Sequence, residues 1–273
     1  MRDPYAIYAR HILKLKPLQQ LDLAPDAAHY GTLIHQILNC FAESFPPLTG
    51  KPLPENAEEV LIELGRKRFD ELQNYPSVRA FWWPRFLRIA HWFVNQERET
   101  RTEIIETQTE VKGHLELAGP EGPFTLTAIA DRIDRLSNDQ IRIIDYKTGA
   151  PPSKKEISAG LAPQLPLEAA IAESQGFKTI LGKSVAVLDY WRLKGGIPAG
   201  EISTAGDDPV KLAKDAIEGL KNLVQTFDQK DTPYEARPRP EHAPKYSDYE
   251  HLARIKEWTV SANPLERGEK DGK

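Results

Sequence analysis

Residues 143–149 read IIDYKTG, an apolar run that ends in Asp145, Tyr146, Lys147, a threonine and a glycine. Residues two apart in a β-strand share a face, so Ile143, Asp145 and Lys147 should point to one side of a sheet. The run predicts a buried strand whose face becomes polar at its carboxyl end. Taken alone, an acid and a lysine at this spacing fit a surface ion pair equally well.

The preceding segment, FTLTAIADRIDRL (124–136), alternates apolar and polar residues and predicts a second strand, joined to the first by the polar turn SNDQ. A hairpin centred on Asn138 places Asp131 opposite Asp145, with Cβ atoms about 4.5–5.5 Å apart. Two like charges at this distance are destabilising unless a cation bridges them, and hard carboxylate oxygens suit magnesium, manganese or calcium. A register shifted by one residue would instead point the two acids to opposite faces.

Further residues can join this site. Lys147, next to metal-bound carboxylates, can orient a water or stabilise charge on a phosphoryl oxygen. The backbone carbonyl of Tyr146 can be another ligand. His35 follows Gly31 by four residues on a predicted helix and can offer a neutral imidazole, although a histidine on an apolar helix is more often a core residue. Gln164 opens the helix after the hairpin and can hold the water or a phosphate.

The composition narrows the class of protein. The chain has 273 residues, of which 40% are hydrophobic and 28% charged, and this predicts a soluble globular protein. Its single cysteine, Cys40, excludes an intrachain disulfide framework and a cysteine-ligated iron–sulfur cluster, and it fits a reducing, cytoplasmic location. No apolar run has the length of a membrane span, so we expect no membrane partner. The net charge of −4 does not indicate nucleic-acid binding, but a carboxylate-lined metal site is itself acidic.

The order of the patterned segments predicts an α/β fold with a small mixed β-sheet flanked by helices, plus an N-terminal helical region. We expect a single domain over residues 1–260. Its parts are a helical region (1–102), an αβ core with four strands (103–230) and a proline-rich C-terminal extension (231–260). Residues 261–273 are expected to form a disordered tail.

The set Gly31-x-x-x-His35, Asp131, Asp145-x-Lys147 and Gln164 resembles the motifs of PD-(D/E)XK nucleases of the RecB branch. The phrases DPYAIYARHILKLKPL, ADRIDRL, IIDYKTGAPPS and HLARIKEW are similar to the C-terminal nuclease domains of AddB-type subunits of bacterial AddAB helicase–nucleases, over nearly the whole chain. The resemblance implies a restriction-endonuclease-like fold and a metal-dependent nuclease.

It also implies roles for individual residues. The implied metal ligands are His35, Asp131, Asp145 and the backbone carbonyl of Tyr146. The implied catalytic residues are Asp131, Asp145, Lys147 and Gln164. The implied ion is Mg²⁺, with Mn²⁺ or Ca²⁺ able to occupy the same site.

Two departures from the family pattern stand out. Glu168 stands where many relatives carry a tyrosine, four residues after the motif glutamine; it either helps to bind metal or faces solvent. The chain also lacks the four cysteines of the iron–sulfur cluster that clamps many relatives. We expect apolar packing of the N-terminal helix against YSDYEHLARIKEW (246–258) to replace that cluster.

Basic and aromatic residues give candidate DNA contacts, because basic residues meet phosphates and aromatic rings stack on unpaired bases. The candidates are Arg135, Lys154, Lys155, Arg237, Arg239, Tyr234 and Tyr246. A solvated charged loop is an equally good interpretation of the basic residues in loops. Arg132 and Asp134 are expected to form a surface ion pair.

The predicted function is that of a metal-dependent exonuclease acting on single-stranded DNA. It would be the nuclease domain of a helicase–nuclease complex for double-strand-break repair by homologous recombination, with an AddA-type subunit as the partner of the full-length protein. One alternative is an inactive nuclease-fold module that binds DNA or acts as a scaffold. Another is an enzyme acting on a sugar or phosphoester through a similar acidic hairpin.

Overall fold

The computed structural model describes residues 1–18, 24–47, 52–180, 182, 184–244 and 246–257. The chain divides into two compact units, residues 23–228 and residues 1–22 together with 229–273. The predicted single domain over residues 1–260, with internal boundaries at 102 and 230, stays a prediction. The predicted tail, residues 261–273, lies outside the described residues.

The described elements follow the predicted order, which is helices, three strands, a helical segment, a further strand and a last long helix. The α-helices are α1 (Pro4–Ile7), α2 (Ala27–Ser44), α3 (Ala57–Phe69), α4 (Pro76–Thr100), α5 (Lys154–Ser158), α6 (Gln164–Glu173) and α7 (Pro209–Phe227). A π-helical turn (Tyr8–Ile12) follows α1. The strands are β1 (Ile104–Gly119), β2 (Gly122–Leu136), β3 (Ile141–Lys147), β4 (Val185–Leu193) and β5 (Gly200–Thr204). The edge strand β5 is not among the four predicted strands.

Within the described residues the strands form one mixed sheet in the order β1-β2-β3-β4-β5. Neighbouring strands are antiparallel except β3 and β4, which are parallel. A parallel pair needs a crossover connection, and α5 and α6 lie in it. The helix-flanked mixed sheet confirms the predicted α/β class and is consistent with a restriction-endonuclease-like core.

The predicted register of the hairpin between β2 and β3 is confirmed. Ile133 faces Ile143 and Arg132 faces Ile144. Asp131 therefore lies at the same end of the ladder as Asp145. A slip by one residue, which would have separated the two acids, does not occur.

Strand β3 is buried on both of its faces, which explains its continuous apolar run. Ile144 and Tyr146 pack in a core built with α2, α3 and α4. Ile141 and Ile143 pack in a second core, to which α6 and α7 contribute. The sheet is thus covered on both sides, and its functional groups emerge at the carboxyl end of β3.

The prediction of a surface ion pair between Arg132 and Asp134 is wrong, because both side chains are buried. Arg132 Nε donates to Asp134 Oδ1 at 2.7 Å, and Arg142 Nη2 donates to Asp134 Oδ2 at 2.8 Å. Thr107 adds a hydroxyl bond to Asp134, and Arg132 Nη1 pairs with Glu97 of α4. Helix α4 supplies an internal acid that the strand pattern alone could not show.

The smaller unit joins the two termini through direct contacts. The N–H of Tyr5 donates to the carbonyl of Glu235 at 3.2 Å, and the hydroxyl of Tyr249 donates to the carbonyl of Leu15 at 2.9 Å. Residues 248–254 form successive turns, and residues 255–257 are helical. That apolar packing of the N-terminal helix against residues 246–258 replaces an iron–sulfur cluster stays a prediction. In the part of the chain that the structure describes, no helix is long and apolar enough to cross a membrane.

Candidate active site

Two carboxylates lie at the carboxyl end of β3. Asp131 Oδ2 accepts a hydrogen bond from the N–H of Tyr146 at 2.8 Å. Asp145 is 1% exposed, and its two carboxylate oxygens lie 2.8 Å and 2.6 Å from Lys147 Nζ. The Lys147 side chain is 31% exposed, so it contacts the buried carboxylate of Asp145 and also reaches the protein surface.

Gln164 closes a three-membered network with this pair. Its Nε2 donates to Asp145 Oδ1 at 2.6 Å, and its Oε1 accepts from Lys147 Nζ at 3.3 Å. Gln164 is the first residue of α6, where the prolines at 163 and 166 favour the start of a helix. The structure therefore brings the predicted Asp145, Lys147 and Gln164 into contact.

His35 approaches the same site from α2. Its Nδ1 lies 3.4 Å from Asp131 Oδ1, and its ring lies edge-on to the ring of Tyr146, with the ring centroids 5.8 Å apart. Burial lowers the pKa of His35, but the carboxylates of Asp131 and Asp145 more than offset this, so that its pKa is raised. A Cβ on Gly31 would lie 3.2 Å from Thr148 Oγ1, so the glycine does permit a close approach of α2 to the end of β3.

The electrostatics of Asp145 reflect burial among charges of both signs. Burial raises the pKa of the Asp145 carboxyl, the ammonium of Lys147 lowers it, and the charge of Asp131 raises it again; the net direction is upward. A cation beside both acids would relieve this repulsion.

The donors suit a hard divalent cation in their chemistry. His35, Asp131, Asp145 and the carbonyl of Tyr146 offer one imidazole nitrogen and several oxygens, which fits magnesium or manganese. As placed, however, no three His, Cys, Asp or Glu side chains among the described residues are drawn together enough to hold a metal ion. The carboxylates are instead engaged by the N–H of Tyr146, by Lys147 and by Gln164.

Glu168, whose position the sequence left open, is buried at this site and does not face solvent. It is 3% exposed, and its Oε1 accepts from Gln164 Nε2 at 3.2 Å. Burial, followed by the charge of Asp145, raises the pKa of Glu168 to about 8. Its spacing of four residues from Gln164 on a helix is the signal that places it here.

Glu110 was missed by the sequence interpretation. Its neighbours Thr109 and Val111 pair with Arg132 and Ala130, so Glu110 lies across from Asp131. Its φ of 51° is left-handed, which is uncommon for a residue other than glycine. Burial and the charge of Asp131 raise the pKa of Glu110. No local sequence pattern identifies Glu110, because its position depends on the register between β1 and β2. That register is set at the turn between Gly119 and Gly122, far from Glu110.

Of the DNA-contact candidates in the larger unit, Arg135 and Lys154 form ion pairs with acidic side chains, whereas Lys155 is exposed. Arg135 pairs with Glu106 at 3.2 Å and with Asp139 at 3.3 Å. Lys154 Nζ lies 3.0 Å from Asp207 Oδ1. Lys155 is exposed on α5. Their roles in binding DNA stay predictions.

The remaining candidates belong to the smaller unit. Arg237 pairs with Glu250 at 3.4 Å, whereas Arg239 is exposed. The ring of Tyr234 lies 5.6 Å from that of Tyr8, and Tyr246 is almost fully exposed. No contact in this unit tests a role in binding DNA.

Comparison with known proteins finds one matching protein family and several similar proteins. The chain matches the model of the PD-(D/E)XK nuclease superfamily over residues 2–249. It is 28% identical over 177 residues to an uncharacterized protein of Rickettsia bellii (strain RML369-C). It is 30% identical over 179 residues to another of Rickettsia felis (strain ATCC VR-1525 / URRWXCal2). These matches cover 65% of this chain and 21% of each relative, so the chain spans about a fifth of the length of the curated relatives it matches. The crystal structure of SSO0001 has a TM-score of 0.29 and 12% identity, covering 84% of this chain and 86% of that one.

Proposed function

Because the chain belongs to the PD-(D/E)XK nuclease superfamily, whose members in general hydrolyse phosphodiesters and use divalent metals, we propose that it is a metal-dependent deoxyribonuclease. The observation that carries the proposal is the convergence of Lys147 and Gln164 on the buried carboxylate of Asp145. A metal cation, the charged donor Lys147 and the neutral donor Gln164, all beside the carboxylate of Asp145, form a group that can bind a phosphate and orient an attacking water.

In this proposal, His35, Asp131, Asp145 and the carbonyl of Tyr146 hold a magnesium ion. When bound, such an ion lowers the pKa of a coordinated water and stabilises negative charge on a phosphoryl oxygen. Lys147 directs its ammonium toward the attacking water or the phosphate, since its side chain reaches the surface from Asp145. Gln164 fixes the positions of both Lys147 and Asp145 through its two amide atoms.

We also propose the substrate and setting that the resemblance to AddB-type domains implies. The substrate is single-stranded DNA, degraded from an end. The domain works in the cytoplasm within a longer protein, beside an AddA-type helicase–nuclease subunit, in recombinational repair of double-strand breaks. Support comes from the motif phrases of the sequence and from the relatives, of whose length the chain spans only about a fifth.

The test is cleavage of labelled linear single-stranded DNA with Mg²⁺ or Mn²⁺, alongside circular single-stranded and duplex DNA. We expect Asp145→Asn and Lys147→Met each to lower the rate by at least about 100-fold. The control Lys214→Met alters an exposed lysine on α7 and should cleave like the wild type.

Three outcomes would count against parts of this proposal. Wild-type protein that binds DNA but cleaves none of the substrates with any divalent ion would favour the inactive scaffold module. Cleavage that survives both substitutions would show that the site is wrong. Cleavage of the circular strand would contradict a requirement for an end.

A further inference from the structure

One side of helix α4 carries two arginines and an exposed aromatic ring. Phe81, Arg85 and Arg88 follow one another at spacings of four and three residues, so they lie on the same face of the helix. The Phe81 side chain is 64% exposed, Arg88 is exposed and Arg85 is half-buried. Basic side chains next to an exposed aromatic ring are the elements from which surfaces for single-stranded nucleic acid are built.

Two aromatic rings hold the guanidinium group of Arg85. Its central carbon lies 5.6 Å from the centroid of the Tyr30 ring, on α2, and 5.5 Å from the centroid of the Phe81 ring. Both distances are within the range of cation–π attraction. Burial raises the pKa of Tyr30 to about 12, and the positive charges of Arg85 and Arg88 oppose this rise. Both guanidinium groups therefore lie within electrostatic reach of the Tyr30 ring.

Each arginine also donates to the loop between β4 and β5, residues 194–199. Arg85 Nη2 donates to the carbonyl of Lys194 at 2.8 Å, and Arg88 Nε donates to the carbonyl of Gly195 at 2.7 Å. A Cβ on Gly195 would lie 2.7 Å from the carbonyl oxygen of Arg85, so the glycine lets this loop pack directly on the backbone of α4. These contacts order both side chains in advance, which lowers the entropy cost of binding a ligand.

The positive charges of Arg85 and Arg88 have no acidic counterpart. Among the described residues neither forms an ion pair, and each uses one of its five N–H donors for a loop carbonyl. The predicted DNA contacts Arg135 and Lys154, by contrast, pair with acidic side chains. Arg85 and Arg88 can therefore offer both charge and hydrogen-bond donors to the oxygens of a phosphate.

Strand β4 connects this face of α4 with the candidate active site. Arg192 lies beside Lys147 in the parallel ladder, and its Nε donates to the carbonyl of Gly149 at 3.1 Å. Lys194 and Gly195, whose carbonyls accept from the arginines of α4, follow within three residues. A ligand on this face therefore lies next to the end of β3 from which the Lys147 side chain extends.

We infer that the face of α4 formed by Phe81, Arg85 and Arg88 binds the DNA strand beside the active site. The two arginines contact phosphates of the strand, and the Phe81 ring stacks on an unpaired base. The inference rests on the proposed function, because it names the surface that makes the same site act on single strands. A duplex cannot use this ring, since its bases are paired and stacked on one another.

The experiment measures binding of a fluorescently labelled single-stranded oligothymidylate to the full chain by fluorescence anisotropy, with EDTA present so that no strand is cut. We expect Arg85→Gln and Arg88→Gln each to weaken binding. Each should also reduce the slope of log affinity against log salt concentration by about 0.7, the value for one phosphate contact on a single strand.

Arg98→Gln is the matched control for these two variants. Arg98 is an exposed arginine of the same helix, about 15 Å along it from Arg88, and it also donates to a backbone carbonyl, that of Glu55. This variant should bind with wild-type affinity and salt dependence. Because Arg88 is exposed, Arg88→Gln tests the inference even if Arg85→Gln lowers the melting temperature.

Phe81→Ala tests the selectivity for single strands. Loss of a ring that stacks on a base lowers affinity by about fivefold or more. We expect this loss for the oligothymidylate and unchanged affinity for a duplex of the same length. Phe124→Ala is the control, because Phe124 is also exposed but lies about 23 Å along β2 from Asp131. Equal losses for single strand and duplex in Phe81→Ala would overturn the stacking role.

Binding and cleavage together distinguish the failure of this inference from the failure of the proposed function. If Arg88→Gln and Phe81→Ala keep wild-type affinity and salt dependence, the inference is wrong, whether or not Asp145→Asn loses cleavage. If both bind more weakly but the wild type cleaves no DNA with any divalent ion, the inference holds and the proposed function fails. If both proposals hold, the two variants should raise KM for cleavage with little change in kcat, because this face binds substrate and transition state alike.

Discussion

The side chain of Asp131 holds the backbone of β3, because its Oδ2 accepts the N–H of Tyr146 at 2.8 Å. Tyr146 stands between Asp145 and Lys147, so this bond fixes the chain from which both side chains extend. Asp131 also lies 3.4 Å from the ring of His35. Asp131 therefore has a structural role, as the acceptor of the Tyr146 N–H, and a proposed role as a metal ligand. Different substitutions can separate these two roles.

Asp131→Asn keeps a carbonyl oxygen that can accept from Tyr146 N–H, whereas Asp131→Ala does not. We expect only the alanine variant to lose stability, by about 1–3 kcal/mol, because it leaves a buried N–H unpaired. On the proposed function both variants lose cleavage, since each lacks the charged ligand. Urea unfolding and the cleavage assay measure the two effects. Full cleavage by Asp131→Asn would contradict the ligand task.

The buried Arg132 links Asp134 to Glu97 of α4. Removing one partner from a buried charge group leaves the others uncompensated, which typically costs about 3–5 kcal/mol. We therefore expect Arg132→Met to lower the free energy of unfolding by about that amount. Arg135→Met, three residues along the same strand but only half-buried, should change it by less than about 1 kcal/mol. Equal effects in denaturant unfolding would show that burial of Arg132 contributes little.

The stability of the fold should depend on Asp189, in β4. Burial raises the pKa of Asp189 from 3.8 to about 6 in the folded chain, although the charge of Arg142 opposes this. Between these values the folded state holds a proton that the unfolded state has lost, so stability falls as pH rises from about 4 to about 6.

Asp189→Asn removes this effect. It should therefore stabilise the protein above pH 7, by at most about 3 kcal/mol, and give little gain below pH 4. Thermal melting from pH 4 to pH 8 measures the difference between variant and wild type. Asp215→Asn, on the exposed face of α7, is the control and should show no such trend. A gain that is constant across this range would count against a raised pKa.

The left-handed backbone of Glu110 predicts a difference between two variants that both lack the carboxylate. A non-glycine residue at φ 51° costs roughly 1–2 kcal/mol, and glycine adopts it without that cost. Glu110→Gly should therefore be more stable than Glu110→Ala by about 1 kcal/mol, since the greater freedom of unfolded glycine offsets part of the gain. Chemical unfolding of the pair is the measurement. An alanine variant of equal or higher stability would mean that the backbone relaxes there.

Local patterns were enough to predict the hairpin at the centre of the fold. The alternation in β2, the apolar run of β3 and the polar turn at Asn138 set the register, and the register brought Asp131 and Asp145 to one end of the sheet. Gln164 could be placed because a helix start after the hairpin is readable from its prolines. These features depend on residues close together in sequence.

Other features depend on long-range packing and could not be predicted. The burial of Arg132 and Asp134 requires the acid of Glu97, which reaches them from another helix. The position of Glu110 depends on how β1 aligns with β2 over a long ladder. The five residues of β5 are too few for a periodic signal and form an edge strand only once β4 is in place.

The parallel pairing of β3 with β4 also affects the order in which parts of this fold can form while the chain is being synthesised. A growing chain that has emerged only as far as Lys147 contains His35, Asp131 and Asp145, but it lacks Gln164 and β4, the strand that pairs with β3. Parallel pairing requires the crossover to close first, and such non-local closure is slow compared with hairpin formation. The contacts of Gln164 with Lys147 and Asp145 can therefore form only after the crossover helix has been synthesised and docked.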